Sequence, residues 1–146
     1  MANLLDVNSL IALLDSDHVR HGVMQRWFDE HSRDGWATCP ITENGLIRVV
    51  SHANYPSGRR SPAEIVNTLR HLKLARADSH QFWPDAVTLT DETLFRCQYL
   101  VGSRQVTDAY LLGLAAKRGG TLVSFDGSLP WQAIQGAARS LVQKPA

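Results

Sequence analysis

The sequence predicts an α/β fold, a three-layer α/β/α sandwich with a central parallel sheet. In NLLDVNSLIALL, residues 3–14, the apolar spacing changes at Asp6 from that of a buried strand to that of a helix. Towards the other end, DAYLLGLAAKR is typical of a helix that ends at Gly119-Gly120, and TLVSF follows as a strand. Strands that alternate with helices in this way form βαβ units and hence a parallel sheet.

The first half of the chain is predicted to hold two strands and four helices. A strand at 3–5 precedes a helix from Val7, and a second helix covers about 17–31, where Val23 and Trp27 lie on one apolar stripe. A strand is predicted at 36–39, and Pro40 prevents its continuation into the helix of ITENGLIRVVS. The SPAE sequence that begins at Ser61 is a capping box that opens the fourth helix.

The second half is less regular until residue 107. A strand near 86–89 followed by a short helix is predicted from DAVTLTDETLF, and RCQYLVGSRQV has no clear pattern. Thr107 is the predicted N-cap of the helix that follows, and Asp126-Gly127 closes the strand TLVSF with a turn.

Length and composition indicate one ordinary globular domain, residues 1–146. The chain starts without a basic leader and has no apolar run long enough to cross a membrane, so a cytoplasmic protein with no membrane partner is expected. Its 2 cysteines exclude a disulfide framework and a cysteine zinc site.

The net charge of +1 is uninformative by itself, although residues 44–77 carry six basic residues and one acid, Glu64. Such a run is either a solvated face or a contact for a polyanion.

Acidic residues follow three of the predicted strands. Asp6 comes directly after the first, Glu43 a few residues after the second, and Asp126 directly after TLVSF, while Asp108 opens a helix in the same alternating pattern. In open parallel sheets ligands bind beyond the carboxyl ends of the strands, so the four acids are expected in one crevice. Singly, Glu43 and Asp108 are also explained as helix-start residues and Asp126 as a turn residue.

Four converging carboxylates need a cation, because like charges at close range raise one another's pKa and destabilise the fold. Oxygen ligands without histidine or cysteine suit Mg²⁺, for which Mn²⁺ can substitute. The chemistry that fits such a site is metal-dependent hydrolysis of a phosphodiester.

The segments LLDVNSLIALL, ATCPITENGLIRVVS, FWPDAVTL and QVTDAYLLGLAAKRGGTLVSFD together resemble the PIN-domain ribonucleases, specifically the VapC toxins of type II toxin–antitoxin systems. The resemblance runs in order from residue 3 to about 131. It implies an Mg²⁺-dependent endoribonuclease that inhibits translation and growth. Its catalytic acids would be Asp6 and Asp108, as direct metal ligands, with Glu43 and Asp126 acting through water or on a second ion.

The resemblance also assigns supporting roles. Asn8 and Thr107 would orient the carboxylates or the substrate, although a helix-start residue and an N-cap explain them equally well. Arg48, Arg59 and Arg60 would contact the RNA backbone. Water attack would leave 5′-phosphate and 3′-hydroxyl ends. The implied partners are an RNA substrate (transfer RNA, ribosomal RNA or messenger RNA), a cognate VapB-type antitoxin and a second copy of the chain in a homodimer.

Other functions that use an acid after the first strand, or histidine ligands, fit the sequence less well. A haloacid dehalogenase-type phosphatase needs a second aspartate where this chain has Asn8, and a response-regulator receiver needs adjacent acids after its first strand. His18 and His21 lack a third metal ligand at fixed spacing. The remaining alternative is a catalytically inactive PIN-like module that binds RNA or protein, and the presence of all four acids argues against it.

Overall fold

The computed structural model describes residues 1–146 and has a five-stranded parallel sheet at its centre. The strands are β1 (Asn3–Leu5), β2 (Trp36–Thr38), β3 (His80–Phe82), β4 (Thr121–Val123) and β5 (Val142–Gln143). They lie in the order β3-β2-β1-β4-β5, and every neighbouring pair is parallel. All the strands therefore end on the same side of the sheet, which is called the carboxyl edge below.

Five helices cover the two faces of this sheet: α1 (Val7–Leu14), α2 (His21–His31), α3 (Pro40–Val50), α4 (Pro62–Ala75) and α5 (Val106–Lys117). Successive strand residues point to opposite faces. Leu5 and Val123 accordingly enter a core formed with α1 to α4, whereas Leu4 and Leu122 enter a second core formed with α5. The predicted three-layer α/β/α architecture is confirmed.

The helices nearest the carboxyl edge begin as their sequences predict. Asp6 is the N-cap of α1, and Ser61 caps α4 by accepting a hydrogen bond from the Glu64 amide at 3.2 Å. Proline occupies the first position of α3, where its missing N–H costs nothing. Gly45 lets α3 approach α1 closely, because a Cβ there would lie 2.6 Å from the Val7 side chain. The glycine of α3 thus fixes the helix beside Asp6.

The predicted start of α2 and the predicted third strand are wrong. Residues 15–20 are not helical, because the Asp15 carboxylate accepts hydrogen bonds from the Asp17 amide and the Tyr55 hydroxyl. Residues 86–89 form neither a strand nor the start of a helix, and the sheet uses His80–Phe82 instead. The Trp83 amide makes the last bond to β2, after which Pro84 has no N–H to continue the ladder.

The region before α5 also differs from the prediction. Thr107 is not the N-cap: the helix begins at Val106 with Gln105 in the cap position, after a 3₁₀ turn at Ser103–Gln105. The strand β5 near the C-terminus has no counterpart in the prediction. No helix of the chain is both long and apolar enough to span a membrane.

Candidate active site

The carboxyl edge of the sheet carries the predicted acids. Asp6 directly follows β1, Asp126 lies three residues after β4, and Glu43 sits in the first turn of α3, just beyond β2. Asp108 comes from the opposite layer, in the first turn of α5. The structure therefore delivers all four acids to this side of the sheet, although it divides them into two groups.

Asp6 is held in one orientation by two hydrogen bonds. Its Oδ1 accepts from the Val7 amide at 2.8 Å, and its Oδ2 accepts from the Ser124 hydroxyl at 2.7 Å. Burial raises the pKa of Asp6, the two hydrogen bonds oppose that rise, and the charge of Asp126 adds to it. The side chain is thus a buried carboxylate whose negative charge lacks a basic partner.

Ser124 links Asp6 to the rest of the site. The hydroxyl is fully buried, donates to Asp6, and accepts from the Asn8 side-chain amide at 3.0 Å and from the Asp126 backbone amide at 3.2 Å. All of its hydrogen-bonding capacity is therefore used. Asn8 in turn accepts from the Phe125 amide at 3.1 Å. The orienting role predicted for Asn8 fits this geometry, since Asn8 reaches Asp6 through Ser124.

Asp108 is partly buried beside the other two aspartates. Burial, followed by repulsion from the carboxylates of Asp6 and Asp126, raises its pKa to about 6. Asp126 behaves in the opposite way, because the Ser128 amide and hydroxyl both donate to its Oδ1 at 2.8 Å and lower its pKa. The three aspartates are thus near enough for their charges to interact, and Asp126 alone among them has a pKa below its ordinary value.

Glu43 belongs to a separate group at the β2 end. Its Oε2 pairs with Lys73 of α4 and accepts from the Thr38 hydroxyl at 2.6 Å. Because that hydroxyl donates to Glu43, it accepts from His80 Nε2, which lies 2.9 Å away. Burial and the charge of Lys73 lower the pKa of His80 to about 4, so the imidazole is neutral at neutral pH. This chain of contacts fixes Glu43 from two directions.

The donor chemistry of the edge suits a hydrated divalent cation. No three acidic, histidine or cysteine side chains converge closely enough to enclose an ion by direct contacts. Mg²⁺ keeps several of its waters and needs only one or two protein carboxylates, together with substrate phosphate. A cation would also offset the repulsion that Asp108 experiences, which no basic side chain of the protein offsets. The residues present therefore fit such an ion.

The remaining predicted site residues differ in their surroundings. Thr107 is exposed and its hydroxyl makes no hydrogen bond within the chain. Arg48 and Arg59 are exposed, as a contact to RNA requires. Arg60 is partly occupied with structure instead, because its guanidinium donates to the Leu14 carbonyl at 3.3 Å and to Thr68 at 3.4 Å.

Sequence reasoning did not identify Ser124, Thr38, His80 or Lys73 as parts of the site. Ser124 had a usable signal, because it stands two residues before Asp126 in TLVSFD, where the strand leaves the sheet. Lys73 and His80 had no such signal, since Lys73 meets Glu43 only because α4 packs against α3, and His80 reaches it through Thr38 only because β3 pairs with β2.

Comparison with known proteins shows the family to which the chain belongs. A model of the PIN domain family matches residues 4–131. Ribonuclease VapC44 of Mycobacterium tuberculosis is 42% identical over 140 residues, which cover 95% of this chain and 96% of the relative. Ribonuclease VapC39 of the same organism is 40% identical over 141 residues, covering 97% and 100%.

Among solved structures, VapBC2 from Rickettsia felis, crystallised bound to a DNA fragment from its own promoter, has a similar fold. Its TM-score is 0.65 at 11% identity, with 100% of both chains covered. At that identity the likeness concerns the fold, and the two ribonucleases carry the argument about the family. The chain belongs to the PIN domain family and, within it, to the VapC ribonucleases.

Proposed function

We propose that this chain is the toxin of a type II toxin–antitoxin system and that it acts as an Mg²⁺-dependent endoribonuclease, for which Mn²⁺ can substitute. Asp6, Asp108, Asp126 and Glu43 would form its catalytic site within one domain, residues 1–146. The observation that carries the proposal is the convergence of three aspartates at the carboxyl edge, where burial, followed by repulsion from Asp6 and Asp126, raises the pKa of Asp108 to about 6. A bound cation would offset the charge of such a cluster, and carboxyl groups with strongly perturbed pKa values are typical of functional sites.

The protein's own groups would organise the reaction as follows. Asp6 and Asp108, which come from the two helical layers of the sandwich, would hold the ion, and the Ser124 hydroxyl fixes the orientation of the Asp6 carboxylate. Bound Mg²⁺ would supply Lewis acidity for water attack on the RNA phosphate. Asp126, kept ionised by Ser128, is suited to orient water or a second ion, and Glu43 adds a carboxylate on the β2 side. The expected products carry 5′-phosphate and 3′-hydroxyl ends.

The partners follow from the same family membership. The VapC relatives and the VapBC2 structure support a cognate VapB-type antitoxin as the protein that silences this chain. An RNA substrate, with transfer RNA or ribosomal RNA expected, and a homodimer complete the proposal. The exposed guanidinium groups of Arg48 and Arg59 are suited to contact the RNA backbone.

Metal dependence tests the proposed activity directly. Purified protein should cleave labelled RNA with Mg²⁺, stop cleaving after exhaustive chelation with EDTA, and recover when Mg²⁺ or Mn²⁺ is returned. An Asp6→Asn protein from the same purification controls for contaminating ribonuclease, which needs no metal. Cleavage that persists in EDTA and is lost in the variant would contradict the metal mechanism, while RNA binding without cleavage would favour the inactive module.

Ser124 provides a second prediction about the same site. Ser124→Ala removes the hydroxyl that orients Asp6 and connects it to Asn8, and we expect a loss of about 10- to 100-fold in kcat/KM or in apparent Mg²⁺ affinity. Steady-state cleavage at several Mg²⁺ concentrations separates the two effects. Ser140→Ala is the matched control, because Ser140 is exposed and away from the acids. Wild-type kinetics in Ser124→Ala would mean that the Val7 amide alone orients Asp6.

A further inference from the structure

The aromatic ring of Phe82 stands exposed at the end of the edge strand β3. About half of the side chain, 49%, is accessible to solvent, although Phe82 lies in a strand of the central sheet. In the sheet register Phe82 pairs with Thr38, the residue whose hydroxyl donates to Glu43. The ring therefore lies at the carboxyl edge, one strand away from the proposed catalytic acid.

A cationic group accompanies the ring. The ammonium of Lys73 lies 5.5 Å from the centre of the Phe82 ring and also pairs with Glu43, so it stands between the aromatic side chain and the acid. Its side chain is 29% exposed, which leaves the ammonium accessible from solvent. Arg70 on the same helix is also exposed, and Glu64 is the only acid of α4.

An exposed ring beside an ammonium matches the chemistry of a nucleotide. Bases stack on aromatic side chains whatever their sequence, and the ammonium of a lysine neutralises the charge of a phosphate. A duplex keeps its bases stacked inside and presents none to such a ring, whereas unpaired bases are free to stack. An acidic peptide would use Lys73 and leave the ring without a matching partner. The combination thus favours a single-stranded nucleic acid.

We propose that Phe82 and Lys73 form a nucleotide subsite, in which the Phe82 ring stacks on an unpaired base of the RNA and Lys73 contacts an adjacent phosphate. The subsite rests on the proposed ribonuclease function and adds to it a contact between the Phe82 side chain and an unpaired base, on the β3 side of the site. It also places the RNA: the strand enters over β3, passes Glu43 and reaches the aspartates at the ends of β1 and β4. Phe82 is a binding residue here and takes no part in the chemistry.

Binding of a short, unstructured, fluorescein-labelled RNA, followed by anisotropy in EDTA, tests the subsite without cleavage. Phe82→Leu keeps an apolar side chain but removes the planar ring, and we expect Kd to rise about tenfold. Phe82→Tyr retains a ring and should bind like the wild type. Leu74→Ala is the control, because Leu74 is 68% exposed and follows Lys73 on α4. Melting temperatures of all variants establish that each is folded.

Two further measurements distinguish stacking from charge. On an oligonucleotide with abasic riboses, the wild type and Phe82→Leu should bind equally, because no base remains to stack. Phe82→Leu should leave the salt dependence unchanged, whereas Lys73→Gln should reduce the slope of log Kd against log salt concentration by about 0.7, one phosphate contact on a single strand. Equal binding of base-containing RNA by the wild type and Phe82→Leu would overturn the subsite, as would tighter binding of duplex than of single strand.

Different results would refute the subsite and the proposed ribonuclease activity. If the wild type cleaves RNA with Mg²⁺ and Phe82→Leu binds RNA as tightly as the wild type, the ribonuclease activity is supported and the subsite is refuted. If the wild type never cleaves RNA, but Phe82→Leu binds RNA more weakly and Phe82→Tyr binds it equally well, the subsite is supported as an RNA-binding surface and the proposed activity is refuted.

Discussion

Replacing either Asp6 or Asp108 by asparagine is expected to lower the rate of RNA cleavage by about a thousandfold, on the order of 4 kcal/mol in the activation barrier. Each substitution removes one negative charge from the proposed metal site and keeps the size of the side chain. Asparagine is preferable to alanine at position 6, since Asp6 also caps α1 and an N-cap lost to alanine costs about 1 kcal/mol of stability. The measurement is single-turnover cleavage of labelled RNA at saturating Mg²⁺.

Asp34→Asn is the matched control for both substitutions. Asp34 is an exposed aspartate just before β2, at the opposite edge of the sheet from the acids, so the same change of charge there should leave cleavage at the wild-type rate. Wild-type cleavage by Asp6→Asn or Asp108→Asn would remove that residue from the metal site. A loss of cleavage in Asp34→Asn would show that net charge, and not position, controls the rate.

The positions of Asp6 and Asp126 at the carboxyl edge are predictable from the sequence because each residue follows a buried strand. Asp6 is located by the change from the buried strand at 3–5 to the helical spacing of apolar residues that starts at Val7, and Asp126 by the apolar segment TLVSF that precedes it. The parallel topology then brings the two strand ends together without further information. The fold class is predictable for the same reason, since β1, α1, α5 and β4 have strong local patterns.

Contacts between distant segments account for what the sequence does not predict. β3 is only three residues long, His80–Phe82, and two of them are polar, so no apolar run marks it. Residues 86–89 resemble a strand because apolar Val87 and Leu89 are separated by polar Thr88. In the structure they lie in a loop, and their side chains pack against the core on the α5 side of the sheet. The pairing of Glu43 with Lys73 depends on how α4 packs, and no spacing rule relates residues so far apart in the chain.

The division of the acids into two groups bears on how the site would bind its ion. Glu43 is compensated by Lys73, whereas Asp6 and Asp108 are not compensated by any basic side chain. A cation binds most favourably to carboxylates whose charge no basic side chain balances, because binding relieves the repulsion between them. This favours Asp6 and Asp108 as the direct ligands and Glu43 as a residue that acts through water or through Lys73.

Asp108→Asn should make the metal-free protein more stable, the reverse of what removal of a structural aspartate does. The pKa of Asp108 in the folded chain, about 6, lies above its ordinary value of 3.8, so the ionised carboxylate destabilises the fold. After allowance for solvent screening of a half-buried group, the gain is about 1 kcal/mol, or about 3 °C in Tm. Thermal unfolding in EDTA at pH 8 measures it, and a large fall in Tm would mean that Asp108 is mainly structural.

The pH dependence of this difference identifies its source. Above about pH 6 the penalty of ionised Asp108 is fully present, and as pH falls from about 6 to 3.8 protonation in the folded state removes it, so the Tm of the variant and of the wild type should converge near pH 4. His80 changes the stability in the opposite direction over the same pH range. Its pKa is lowered to about 4 in the folded chain, so the folded state loses stability relative to the unfolded state as the pH falls. Both proteins contain His80, so its contribution cancels in the difference. Mg²⁺ at pH 8 should then raise the Tm of the wild type and leave that of Asp108→Asn nearly unchanged.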